Sequence, residues 1–362
     1  MIRPRQTALV IAPGRGTYNA GELGYLGRWH ADRQAFVAMA DAYRAAQGQP
    51  TLSQLDGAAS YSAAVQARGD NASPLIFACS YLDFLAIDRT AFEIVAVTGN
   101  SMGWYTALAC AGAVDEADGL ALVDTMGSLM QAASIGGQAI WSLVDEAWRP
   151  IPGRRAALLA TMAAIVAEGA GELHVSIVLG GMLVIAGDAP GLAAMTERAP
   201  RGPGRFPLAL AGHAGFHSPL QAPVSAKARA TIAPEMFGQP MTPLIDGAGR
   251  IWAPKASDVG ALWDYTLGEQ VVRTYDFTRA VGVAVREFAP EKIIVLGPGE
   301  TLGGAVAQAL IAADWKGLAS KADFQALQAA DPPLLAMGRA DHRGLVVTPT
   351  GPPPSASPPP PP

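Results

Sequence analysis

The chain has 362 residues, half of them hydrophobic and 16% charged, enough for one large domain or two ordinary ones around a filled core. A formal net charge of −5 leaves no global basic field to hold nucleic acid. No run of about 18 apolar residues offers a membrane span, and the basic stretch Met1 to Gln6 leads into an apolar run that Pro13 and Gly14 break too early for a signal peptide. The expectation is a soluble, cytoplasmic protein without nucleic-acid or membrane partners. Cys79 and Cys110 have no metal or redox spacing, and Cys110 reads as a small core residue.

Taken in chain order, Thr7 to Ala12 reads as a buried strand ending at Pro13-Gly14. Tyr25 to Ala46 has helical spacing, and Ser73 to Leu85 reads as an apolar helix. Phe92 to Thr98 is dense in Val and Ile and reads as a second strand stopping at Gly99. Helices follow over Ser101 to Ala113 and Glu116 to Ala133. Short buried strands separated by helices imply a parallel α/β sheet. Then Ala139 to Val144, Arg154 to Glu168, His174 to Val178, Leu183 to Ile185, Gly191 to Glu197 and Phe206 to Ala209 form a β-α-β-β-α-β series, the order of a small ferredoxin-like α+β unit. Helices near Ser218 to Ile232 and Val259 to Gln270 and a strand at Lys292 to Leu296 complete the series. The expected organisation is a large α/β subdomain over 1–136 and 209–345, a ferredoxin-like insertion over 137–208, and a disordered Pro-rich tail over 346–362.

The strongest chemical signal is Gly99-Asn100-Ser101-Met102-Gly103, placed between a strand and a helix. A nucleophile elbow needs that context: a tight turn exposes the serine oxygen, and the flanking glycines let backbones pass. The helix beyond it offers unpaired N–H groups to developing negative charge. Such a serine needs a base within hydrogen-bond reach. His30, His174 and His342 sit in helical, strand and tail-proximal contexts with nothing else polar around them and read as surface or structural. His217 and, as the alternative, His213 lie in a Gly-rich loop leading into a helix. His217 is the leading candidate.

Gly99 to Gly103, Phe216-His217-Ser218-Pro219-Leu220 and Gly297-Pro298-Gly299 resemble, in order, the signature segments of the malonyl-CoA:acyl-carrier-protein transacylase family. Pro13-Gly14-Arg15-Gly16-Thr17, Leu129-Met130-Gln131 and Val184-Ile185-Ala186-Gly187 fit further blocks, so the resemblance spans roughly Ala8 to Leu310. It implies an α/β-hydrolase-like subdomain carrying the insertion, with the active site in the cleft between them. It also implies a ping-pong acyl transfer from acyl-CoA to the phosphopantetheine thiol of an acyl carrier protein, as in fatty acid or polyketide biosynthesis. Ser101 would be the nucleophile, His217 the base, and the Gln270 backbone carbonyl the group that orients it. The Met102 and Arg15 backbone N–H groups would form the oxyanion hole. No metal or cofactor beyond the substrates' own pantetheine is expected.

The departures bear on substrate. Where the family has an arginine that holds a free carboxylate, this chain reads Met126-Gly127-Ser128-Leu129-Met130-Gln131, and Met182 replaces a pocket glutamine. Thioethers make an apolar wall and leave a buried carboxylate unpaired, so the expected donor carries a neutral acyl group; a malonyl donor served by an arginine from elsewhere is the alternative. Asn100 replaces a histidine, Arg15 a glutamine, and Phe216 resembles the pattern for unbranched donors; with Met126 and Met182, Asn100 and Phe216 are the expected pocket residues. Competing readings are an acyl-thioester hydrolase, using the same serine and histidine with water as acceptor, and a non-catalytic docking partner using its proline tail. Asp188 falls where the acid of an α/β-hydrolase order would lie, but its Val184-Ile185-Ala186-Gly187-Asp188 setting fits the transacylase block better. Arg154, Arg155, Arg198, Arg201 and Arg205 offer a local basic patch for an acidic carrier protein.

Overall fold

The computed structural model describes residues 4–348. Its larger sheet has six strands in the order β11-β10-β1-β2-β7-β8. These are β1 (Gln6–Ala12), β2 (Phe92–Gly99), β7 (Leu244–Ile245), β8 (Ile251–Trp252), β10 (Lys292–Val295) and β11 (Leu334–Ala336). All neighbours run parallel except the β7–β8 pair. Helices cover both faces, so β1 is apolar on both sides and Ala8 through Ala12 are fully buried.

The smaller sheet has five strands in the order β6-β3-β5-β4-β9. Its strands are β3 (Gly137–Ser142), β4 (Leu173–Leu179), β5 (Met182–Gly187), β6 (Leu208–Ala209) and β9 (Tyr275–Asp276). The first four, with helices Arg154–Ala167 and Ala189–Arg198, make the ferredoxin-like unit; β9 joins parallel to β4 from outside it. The two-residue alternation of a strand divides the side chains between two environments. Trp141, Leu183, Ile185 and Val178 pack under the two helices with Leu158, Ile165 and Met195. Their neighbours Ile140, Val184, Met182, Ile177 and Leu179 face the large subdomain across a cavity.

Several expected elements differ in extent. Tyr25 to Ala46 is two helices, Tyr25–Trp29 and Gln34–Ala46, because His30 turns inward between them to bond the buried Asp83 carboxylate at 2.9 Å. The helix expected from Ser73 begins at Gly69 and runs to Ala86 with Pro74 inside it. Proline cannot donate to the Asp70 carbonyl one turn back; that oxygen instead accepts from Arg44 Nη1 at 2.9 Å. Val259 to Gln270 is interrupted by a π-helical turn over Tyr265–Glu269. The strands after Ala209 other than β10 went unread, as did helices Phe277–Phe288 and Gly303–Ala312. At the expected start of the tail, Val346 is fully buried and Val347 bridges Ile87. The remainder of the Pro-rich segment, 349–362, lies outside the described residues.

Candidate active site

β2 ends at Gly99, and the helix Gly103–Cys110 begins after a turn of three residues. Both glycines are required by backbone packing. A Cβ on Gly99 would overlap the Gly103 backbone and lie 2.7 Å from Trp104 N; one on Gly103 would overlap the Ala12 carbonyl and lie 2.7 Å from that of Pro13. Ser101 between them has φ +56°, a left-handed conformation that costs an L-residue roughly 1–2 kcal/mol. Such strain persists only where packing over-determines it. Here Asn100 N bonds Ala12 O at 3.0 Å, and Trp104 Nε1 bonds Thr266 Oγ1 at 3.0 Å.

The strain aims the half-buried Ser101 hydroxyl at His217, whose Nε2 lies 2.7 Å away. His217 also has positive φ, +53°. Its Nδ1 stands 2.6 Å from the Gln270 carbonyl. A carbonyl only accepts, so Nδ1 carries the ring proton and Nε2 turns its lone pair to Ser101. Gln270 opens the last short helical turn, Gln270–Val272, where carbonyls lack intrahelical partners. Its side chain serves the same site: Nε2 donates to Ser101 O at 3.1 Å, and Oε1 accepts from Tyr105 OH at 3.0 Å. Burial lowers the His217 pKa to about 4, with the Gln270 carbonyl opposing the shift, so the ring is neutral at pH 7.

Neither the Met102 nor the Arg15 backbone N–H has a protein acceptor among the described residues. Ser101, Met102, Arg15 and His217 open onto a cavity of about 400 Å³ whose wall includes Asn100, Met126, Met182 and Phe216. Both subdomains contribute to that wall. Met126 is 1% exposed. Asn100 is buried, and its Oδ1 has no partner among the described residues. The sequence reading missed Ser73, Met130, Ile140, Ile177 and Val184 in the same wall; an apolar residue facing a cavity reads like one facing a core. It also missed Tyr105, and Tyr275, whose hydroxyl donates to Gly99 O at 2.5 Å.

Other candidates take no part in the Ser101–His217 pair. His213 Nδ1 bonds Gln138 Oε1 at 3.0 Å and leaves Ser101 to His217. His30, His174 and His342 do have polar neighbours, contrary to expectation: Asp83, Glu172 at 2.8 Å, and the Ala336 N–H at 3.1 Å. Asp188 caps the helix Ala189–Arg198, accepting from Gly191 N at 2.8 Å, while Gln270 holds the place a triad acid would take. Arg154 leaves the expected basic patch: it is buried, donating to the Ser142, Pro200 and Arg201 carbonyls. Arg198 pairs with Glu168 at 2.5 Å, while Arg155, Arg201 and Arg205 are exposed, Arg205 on the cavity rim.

No protein-family model matches the chain. The malonyl-CoA:acyl-carrier-protein transacylase of Escherichia coli K12 is 26% identical over 208 residues, 58% of this chain and 63% of that relative. The Salmonella typhimurium transacylase is likewise 26% identical, over 211 residues. Thus the match spans just under two thirds of the curated relatives' length. The crystal structure of an acyl-carrier-protein S-malonyltransferase from Burkholderia pseudomallei superposes with a TM-score of 0.69 at 25% identity, covering 84% of this chain and 93% of that one. The chain is similar, in sequence and in fold, to the malonyl-CoA:acyl-carrier-protein transacylases. The transacylase fold extends over nearly the whole chain: the Synechocystis malonyl-CoA:ACP transacylase superposes with a TM-score of 0.70 at 20% identity, covering 94% of this chain and all of that one. Among the described residues of this transacylase relative, no cluster of His, Cys, Asp or Glu is placed to hold a metal ion, and no helix is long and apolar enough to cross a membrane.

Proposed function

We propose that the chain is an acyltransferase that moves an acyl group from acyl-CoA to the phosphopantetheine thiol of an acyl carrier protein through a Ser101 acyl-enzyme. The observation that carries this reading is the line from Ser101 Oγ through the His217 ring to the Gln270 carbonyl, with spacings of 2.7 and 2.6 Å. His217 Nε2 takes the Ser101 proton as Oγ attacks the thioester carbon. The carbonyl oxygen gathers charge beside the Met102 and Arg15 N–H groups. When the C–S bond breaks, the CoA sulfur leaves with the proton from His217. The acceptor thiol then gives its proton to His217 and attacks the ester carbon; Ser101 Oγ leaves and regains the proton. The chemistry needs no cofactor beyond the two pantetheine arms.

The donor's acyl group is neutral in this reading. Support comes from the wall of Met126, Met130, Met182, Ile140, Ile177 and Val184, against which a carboxylate would be desolvated. Of the arginines that line the cavity, Arg15 already donates to the Gly212 carbonyl and Arg205 is exposed on the rim. The test is a transfer assay from acetyl-, hexanoyl-, octanoyl- and malonyl-CoA to a phosphopantetheinylated carrier protein. A neutral acyl group should appear on the carrier, with malonyl slower by at least about tenfold. Free acid in place of loaded carrier would make the protein a hydrolase, and malonyl transfer in excess would overturn the neutral-donor reading.

A further inference from the structure

Beside the acyl cavity lies a second cavity of about 350 Å³, and Arg15, Met130, His213 and Phe216 line both. The Ser101 chemistry makes no use of the Arg15 or His213 side chains. A chain of hydrogen bonds fixes the His213 tautomer. Ser176 Oγ–H donates to the Phe216 carbonyl at 2.8 Å, so its oxygen accepts a hydrogen bond from Gln138 Nε2 at 2.6 Å. That turns Gln138 Oε1 to His213 Nδ1, and because an amide oxygen only accepts, Nδ1 carries the proton. Burial and the nearby Arg15 charge lower the His213 pKa to about 3 and keep the ring neutral. Its Nε2 is therefore a bare acceptor, with no protein donor among the described residues.

Arg15 supplies the complement. Its Nη2 donates to the Gly212 carbonyl next to His213, and its guanidinium lies over the Phe216 ring at 5.1 Å. It makes no other side-chain hydrogen bond or ion pair among the described residues. Its Nη1 also stands close to the helix bearing Met126 and Met130: a Cβ on Gly69 would lie 2.5 Å from that nitrogen and 3.2 Å from the Gly127 carbonyl. The acyl wall thus carries one free acceptor and free donors side by side. An alkyl chain would leave both unpaired. A carboxylate would suit Arg15 but would set its own lone pairs against His213 Nε2.

We propose that the acyl group carries a neutral hydroxyl that donates to His213 Nε2 and accepts from Arg15, making the donor a hydroxyacyl thioester. This rests on the acyl-transfer reading of Ser101 and names its substrate class. A site built to hydrogen-bond a hydroxyl discriminates strongly against the analogue that lacks it.

The test is single-turnover acylation by butyryl- and octanoyl-CoA, by their isomers hydroxylated at C2, C3 or the chain end, and by succinyl- and glutaryl-CoA. It uses the wild-type chain, His213→Leu and Arg15→Met. At least one hydroxylated isomer should acylate the wild type tenfold or more faster than its parent, and either substitution should bring that ratio towards one. The wild-type ratio alone keeps the proposal testable if a variant fails to fold. Equal rates for hydroxylated and parent donors in the wild type would overturn the proposal. So would an equal fall of both in His213→Leu, which would assign His213 to the pantetheine arm common to all donors. Preference for succinyl or glutaryl would overturn it too, making Arg15 a carboxylate anchor instead. Acylation without hydroxyl preference defeats this proposal alone; no acylation by any donor defeats the acyl-transfer reading with it.

Discussion

At the scale of single residues, His217 makes a prediction whose sign follows from its surroundings. Only the neutral ring can accept the Ser101 proton, and burial lowers the ring's pKa from 6.5 to about 4. The acylation rate should therefore stay level from neutral pH to about pH 5 and fall as the pH drops through about 4. Rapid-quench acylation across that range checks it; a rate halved near pH 6.5 would mean that the ring titrates like a free imidazole. Gln270 orients His217 through its backbone, so Gln270→Ala should keep that bond while losing the links to Tyr105 and Ser101 O. The expected result is a kcat lower by roughly tenfold with KM little changed; a large rise in KM with kcat intact would instead make the side chain a substrate contact. Ser101, His217 and Gln270 were legible because motif and resemblance name them. The placement of Arg154 was not, because an arginine reads as surface until its three carbonyl partners are known.

At the scale of elements, the elbow depends on how closely the Pro13–Gly14 loop approaches the first turn of the helix Gly103–Cys110. Gly103→Ala would press a methyl group into the Ala12 and Pro13 carbonyls, with no flexible side chain to yield. It should destabilise the fold by about 2 kcal/mol or more. At Gly304, exposed in the helix Gly303–Ala312, an added methyl group would meet nothing within 4 Å, so Gly304→Ala should stabilise by about 0.5–1 kcal/mol. Urea unfolding of the two variants reads both signs; equal effects would mean that glycine freedom, not backbone approach, sets the elbow. Periodicity located Glu116–Ala133 to the residue and most of the ferredoxin-like unit within a few residues. It failed at the two-residue strands β7, β8 and β9, since so short a run carries no period. It also failed at Tyr25 to Ala46, where the break answers to Asp83, a residue far along the chain.

At the scale of the whole molecule, the two sheets are bound by the same groups that form the site. The His217 loop and the Gln270 turn belong to the large subdomain, while Gln138 and Ser176 of the smaller sheet hold His213 and the Phe216 carbonyl. Two neutral histidines, His217 buried and His213 half-buried, make that arrangement acid-sensitive. The folded pKa values of His213 and His217 are lowered to about 3 and about 4, so below about pH 6.5 the unfolded chain binds protons that the folded chain refuses. Stability should fall as the pH drops from about 6.5 towards 4, which urea midpoints at stepped pH would show; midpoints constant to pH 4 would contradict the lowered pKa of both rings.

Everything proposed for the site requires a covalent acyl group on Ser101. The chain and Ser101→Ala should be mixed briefly with acetyl-, malonyl-, hexanoyl- and octanoyl-CoA and weighed by intact-protein mass spectrometry, with the adduct mapped by peptide. A mass increase equal to a neutral acyl group is expected on Ser101, absent from Ser101→Ala and weak or absent with malonyl-CoA. An adduct that survives Ser101→Ala, or no adduct and no CoA release from any donor, would contradict a serine acyl-enzyme.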